Sequence, residues 1–188
     1  HAVRRSGVGP GDKIVVQGAG PIGLSVLQVA RVYGVDEVLV VEPDEDRRTL
    51  ALELGADLAI IPEAAAEIVL ERTGSTGADA VIECAGFPET VETAVGFCRS
   101  GGTVCLVGIA DGSVSVTPRE WIAREVTVVS ALAYLHEEFQ IAMELIADGH
   151  VQVRQVHSST VGLADLPAVI ERLAGGSGET KILVDPTL

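Results

Sequence analysis

The stretch KIVVQGAGPIGLSVLQVARVYGVDEVLVVEPD, residues 13–44, decides the fold. Its centre is Gly18-Ala19-Gly20-Pro21-Ile22-Gly23. Before it stands the apolar run Ile14-Val15-Val16, bounded by Gly11-Asp12, which reads as a buried strand. After it, Ile22, Val26, Val29, Ala30 and Tyr33 recur at helical spacing. They stop at Gly34, the residue type that most readily closes a helix in a left-handed conformation. Val38-Leu39-Val40-Val41 is a second apolar run, and it ends in Glu42. The order strand, glycine turn, helix, strand, acid is the context in which a G-x-G-x-x-G pattern carries meaning.

In that context each residue type has a physical task. Gly18 lets the chain turn sharply out of the strand, Gly20 brings no Cβ between the backbone and a pyrophosphate, and Gly23 lets the helix lie close to the strand. Pro21 fits the first helical turn, where a missing N–H costs nothing. The helix N-terminus offers unpaired N–H groups and a partial positive charge to phosphates. Glu42, roughly 20 residues on, is placed to accept from the ribose hydroxyls of an adenosine. A carboxylate there opposes a 2′-phosphate, so the expected cofactor is NAD rather than NADP.

The remainder of the chain fits the same architecture. Of 188 residues, 47% are apolar and only 3% aromatic, so the core is built from Val, Ile, Leu and Ala, as buried parallel strands with covering helices require. After Glu42 the pattern alternates: helix over 44–54, strand over 58–61, helix over 64–72, strand over 80–82, helix over 88–97, strand over 103–107 after the Gly101-Gly102 turn, and a last strand over 126–129. This repetition predicts right-handed crossovers and a doubly wound parallel sheet. From about residue 134 the pattern changes to a helix over 137–147, a β-rich stretch over 151–161, a helix over 165–173 and a strand over 181–184. We therefore expect two parts, a Rossmann domain over 1–134 and a C-terminal segment over 135–188 whose strands belong to another sheet.

The net charge of −14 argues against nucleic acid or an anionic membrane as partner. No uninterrupted apolar segment reaches the roughly 20 residues of a membrane helix, and no secretory signal is visible. Cys84, Cys98 and Cys105 show no C-x-x-C pairing, which favours free thiols in a reducing cytoplasm. His1, His136, His150 and His157 have no ligand spacing, so no metal site is expected within the chain.

Residues 11–185 resemble the cofactor-binding half and C-terminal return of the zinc-type medium-chain alcohol dehydrogenases. The resemblance is carried by Pro10-Gly11-Asp12, the Gly18–Gly23 turn, Glu42-Pro43 with Arg47-Arg48, Leu54-Gly55-Ala56-Asp57, Gly74 to Asp79, Cys84-Ala85-Gly86, Gly101-Gly102, Val107-Gly108-Ile109 and Lys181. Glu42-Pro43 with Arg47 is similar to the polyol, butanediol and threonine dehydrogenase branch.

This resemblance implies that Gly18, Gly20, Pro21 and Gly23 face the pyrophosphate, with Ile22 under the nicotinamide. It also implies that Glu42 and Arg47 bracket the adenosine ribose and that Cys84 and Ala85 line the cleft. Val107, Gly108, Ile109, Leu132 and Ala133 would hold the carboxamide end, and Lys181 would lie near the phosphates. Blander readings stand beside two of these: Arg47 as an i,i+3 partner of Asp44, and Lys181 as a solvated charge. Cys84, with apolar neighbours and no nearby His, is not expected to act as a nucleophile.

Catalytic zinc ligands would lie in an N-terminal lobe upstream of His1, leaving this chain without catalytic residues of its own. In the whole protein an alcohol or polyol would exchange a hydride with NAD. A zinc-free quinone or enone reductase and a nucleotide-sensing module without chemistry are the alternatives. The resemblance further implies a homodimer through an edge strand within 112–129, rich in Val114, Val116, Val126, Val128 and Val129. Trp121 would stand at that contact or cap its own core.

Overall fold

The computed structural model describes residues 1–175 and 178–188. A short helix α1 (Ala2–Ser6) leads through Gly7 to β1 (Lys13–Gln17), whose Ile14, Val15 and Val16 have no exposed surface. Then follow α2 (Pro21–Val32), β2 (Glu37–Val41), α3 (Glu45–Glu53), β3 (Leu58–Ile60), α4 (Pro62–Arg72), β4 (Ala78–Glu83), α5 (Pro88–Phe97), β5 (Cys98–Leu106), α6 (Pro118–Arg124) and β6 (Thr127–Ser130). These six strands form one parallel sheet in the order β3-β2-β1-β4-β5-β6.

Alternate residues of each buried strand feed two cores, one per face. Ile14, Val16, Val38, Val40 and Ile82 pack with α1, α2 and α3. Val15, Leu39, Val41, Val81 and Val104 pack with Val69 of α4 and with Ala94, Val95 and Phe97 from the end of α5. The chain leaves β3 at one edge, crosses by α4 and re-enters the sheet beside β1 as β4. The β1/β4 boundary is therefore the topological switch point, where such sheets open a crevice at their carboxyl ends.

The C-terminal segment comprises α7 (His136–Ala147), β7 (His157–Gly162), a 3₁₀ turn (Leu163–Asp165), α8 (Leu166–Ala174) and β8 (Lys181–Asp185). Its two strands pair with each other, in parallel, in a separate sheet. It is anchored to α1 by buried Glu138, which accepts from Arg4 at 3.0 Å, and to α2 by Gln28, whose Oε1 accepts from Gln152 N at 2.6 Å. Among the described residues no helix is long and apolar enough to cross a membrane.

Three expectations about elements need correction. Residues 112–117 form no strand, so Val114 and Val116 are not edge residues. The edge is β6 alone, and α6 fills the place before it. Trp121 packs against the core of its own chain, as do Val126 and Val128. Residues 151–156 are not a strand either, because Val151 and Val156 are buried while the backbone of Gln152 is tied to Gln28. Finally, β5 begins at Cys98 and carries Gly101-Gly102 within it, with a register shift against β4 between Ala78 and Ala80.

Candidate functional site

The glycine turn lies at the carboxyl end of β1, and its three glycines do different work. Gly18 has φ +91°, its N–H donates to Val41 O at 2.8 Å, and a Cβ there would lie 3.0 Å from the backbone of Ala85. Any side chain at Gly23 would run into the carbonyl oxygen of Gly18. Both glycines are demanded by the fold. Gly20 caps α2 in an extended conformation, and a Cβ on it would meet nothing within 4 Å. Its bareness serves the open space in front of it, which suits a pyrophosphate coming close to the backbone. Pro21 begins α2, and no side chain caps the N-terminal N–H groups there.

Two cavities flank this turn. One, of about 450 Å³, is bounded by Gln17, Gly18, Gly20, Glu42, Arg47 and the α5 face of Thr90 and Thr93, with Pro43, Pro62, Phe87 and Phe97 as apolar walls. The other, of about 630 Å³, is lined by Ile22, Val107, Gly108, Ile109, Leu132 and Ala133, with α1 behind them. Cys84 and Ala85 line both. The structure thus brings twelve of the fifteen expected residues to one split cleft. Gly23 lines neither half. Pro21 and Lys181 meet across a third cavity of about 670 Å³, with Ser25 and Gln28, so Lys181 reaches the start of α2 rather than Gly18 or Gly20.

Glu42 is only 4% exposed, and its carboxylate accepts from Ala19 N at 2.6 Å and from Asp44 N at 3.0 Å. It holds the turn and the start of α3 before any ligand is considered. Arg47 donates its backbone N–H to the Asp44 carboxylate at 2.9 Å, and its guanidinium reaches Glu179 O at 3.2 Å. The i,i+3 contact with Asp44 is thus made by the backbone of Arg47, as a helix cap, where a side-chain partner was expected. The side chain instead ties the C-terminal segment to the cleft.

Sequence reasoning missed Glu83, which ends β4 as Glu42 ends β2. It is fully buried, and its Oε1 accepts from Ala85 N, Gly86 N and Thr90 Oγ1, each at 2.8 Å. Its carbonyl oxygen accepts from Val107 N and Gly108 N at 2.9 Å, so one residue fixes the seam and the start of the far wall. Gln17, Thr90 and Thr93 were also missed, although an amide directly before Gly18 breaks an otherwise apolar run. Burial, then the Glu83 carboxylate, pushes the Cys84 thiol far above its ordinary range, which keeps it protonated and a poor nucleophile. Among the described residues no three His, Cys, Asp or Glu side chains gather as metal ligands.

Comparison with known proteins shows to which family a chain with this fold and cleft belongs. The family described as zinc-binding dehydrogenase matches residues 21–148. L-idonate 5-dehydrogenase of Vitis vinifera is 33% identical over 97% of this chain and 52% of its own length; sorbitol dehydrogenase of Arabidopsis thaliana is 32% identical over the same shares. The chain therefore spans about half the length of these curated relatives. A Sinorhizobium meliloti protein described as a zinc-binding dehydrogenase, solved with NADP, superposes with a TM-score of 0.89 at 32% identity, covering 99% of this chain and 56% of that one. The 2R,3R-butanediol dehydrogenase of Bacillus subtilis gives 0.87 at 29% identity, over 98% and 54%. By sequence and by fold, this chain belongs to the zinc-type medium-chain alcohol dehydrogenase family, within its nucleotide-binding part.

Proposed function

We propose that the chain binds NAD(H) for a zinc-dependent alcohol or polyol dehydrogenase. The carrying observation is the split cleft: two cavities meet at Cys84-Ala85, with the open face of Gly20 lining the one beside Glu42. Adenosine occupies the side of Glu42 and Arg47, and nicotinamide the side of Ile22, Val107, Ile109 and Leu132. The pyrophosphate crosses Gly18 and Gly20 at the start of α2, with Lys181 behind it. The relatives' names, idonate, sorbitol and butanediol dehydrogenases, support a secondary alcohol or polyol as substrate of the whole protein. Zinc, named in the family's description, would supply polarisation of the alcohol oxygen in the whole protein. This chain's residues bind and orient the hydride carrier. The three free thiols, none in a disulfide, fit a cytoplasmic protein.

Glu42 sets the cofactor. Its buried carboxylate stands where a 2′-phosphate would sit, which favours NAD over NADP by about 30-fold, roughly 2 kcal/mol. Calorimetric titration with both cofactors checks this, and equal affinities would sink it. The same sample, given zinc and simple secondary alcohols, should yield no NADH absorbance above a protein-free control.

The assembly we infer is a homodimer through β6. Its outer edge has no strand partner among the described residues, Val128 and Val129 are only half-buried, and Ile122 of α6 is exposed. An unpaired β-branched edge is an aggregation hazard that a twofold mate removes. Light scattering at micromolar concentration should give twice the chain mass; a monomer ends the idea.

A further inference from the structure

Gln17 is an amide in a place where the fold asks for a hydrocarbon. It closes β1, is 2% exposed, and follows three apolar residues with no exposed surface. Its register partners are Val41 on β2 and Glu83 on β4, so it sits at the switch point where the cavity on the Glu42 side opens, and it lines that cavity.

The orientation of the amide is settled by its neighbour. The Thr93 hydroxyl lies 3.0 Å from Glu89 O and 3.1 Å from Thr90 O, and its single hydrogen goes to these α5 carbonyls. Toward Gln17 it presents lone pairs only, and Gln17 Nε2 donates to it at 3.0 Å. The amide nitrogen is thereby committed, and Oε1 is held at the opposite end. Among the described residues Oε1 has no hydrogen-bond partner. A buried acceptor with fixed orientation and no donor is costly, and it selects a ligand that brings the donor.

We propose that Gln17 determines which base the site accepts, its Oε1 receiving a hydrogen bond from the 6-amino group of adenine. This rests on the dinucleotide reading above and adds to it. The slot's apolar walls, Pro43, Pro62, Phe87 and Phe97, suit any purine face. The 6-amino group is the only N–H donor on the adenine ring system. Hypoxanthine carries a carbonyl oxygen at that position, which would face another oxygen, and Thr93 prevents the amide from turning to meet it.

The test titrates the 188-residue chain with NAD and with nicotinamide hypoxanthine dinucleotide. NAD should bind about tenfold more tightly. Gln17→Met, similar in length and without the amide, should bring the two affinities within about twofold of each other. Thr93→Val keeps Gln17 but frees its amide to turn, so the hypoxanthine dinucleotide should gain and the ratio should again narrow to about twofold. Circular dichroism establishes that each variant is folded, and either folded variant suffices for the comparison. A wild-type ratio near one, with both dinucleotides bound, overturns the assignment and leaves the dinucleotide site standing. An undiminished ratio in a folded variant overturns it as well. Failure of both dinucleotides to bind would overturn the inference together with the reading on which it rests.

Discussion

The two halves of the cleft differ in how far they are organised in advance. The half beside Glu42 sets, among its apolar walls, polar groups already held by hydrogen bonds: Glu42 by the backbone of Ala19 and Asp44, Arg47 by its reach to Glu179 O, Gln17 by the Thr93 hydroxyl. The half beside Ile22 is lined almost wholly by apolar side chains, and its outermost residues, Ile109 and Leu132, are each 78% exposed. Groups fixed before binding lose little freedom when a ligand arrives, whereas exposed side chains must be ordered and bury little in return. The first half can bind on its own. The second becomes a pocket only to the extent that something covers Ile109 and Leu132.

The sharpest way to break this contrast is to offer each half its own ligand. ADP-ribose should bind within about tenfold of NAD, while nicotinamide mononucleotide should bind about 100-fold more weakly than ADP-ribose. Calorimetry on the same chain measures both. Comparable affinities for the two fragments would mean that the apolar half is already complete, and the comparison would fail.

How much of this could be read from sequence follows the range of the interactions involved. The glycine turn, the alternation of strands with helices and the place of Glu42 after the second strand are local signals, set by spacings of a few residues, and all were legible. Glu83 and Gln17 were not. Their importance comes from the parallel pairing of β1 with β4, which sets Gln17 beside Glu83 across 65 intervening positions. The runs around Val114 and around Val151 misled for a related reason. β-branched residues suit a pleated, half-buried surface, and without a neighbouring strand that preference has nothing to act on. Val156 found burial in a loop against the first core instead, Val151 is buried as well, and Gln28 of α2 takes the backbone N–H of Gln152. Gly23 was legible in its packing role but not in its place, since only the structure shows that it faces Gly18 rather than the cleft.

A smaller effect probes the turn that joins the two halves. Gly20→Ala should leave the unfolding free energy within about 0.5 kcal/mol, because the residue has φ −72° and a Cβ there meets no protein atom. The same methyl group stands in the space assigned to the pyrophosphate, so NAD affinity should fall about tenfold, with ADP-ribose falling in parallel. Urea unfolding and calorimetry read the two quantities separately. A loss of stability with affinity intact would move the phosphates away from Gly20.

The smallest effect is expected at the seam, where Cys84 belongs to both halves. A thiol in that position invites a chemical role, since it stands between the sugar and the nicotinamide ends of the proposed ligand. Its environment argues the other way. Burial and the adjacent Glu83 carboxylate both disfavour the thiolate, and Glu83 Oε1 accepts from Ala85, Gly86 and Thr90 rather than from sulfur. A thiol kept neutral is a small, weakly polar packing group. Serine keeps its shape and adds a hydroxyl that must find a partner, a change costing about 1 kcal/mol of stability. Cys84→Ser should therefore bind NAD within about threefold of the wild-type chain, and unchanged affinity from pH 6 to pH 9 should accompany it. A tenfold loss, or an affinity in the parent chain that changes with pH as a thiolate forms, would show that the seam does more than hold the two halves together.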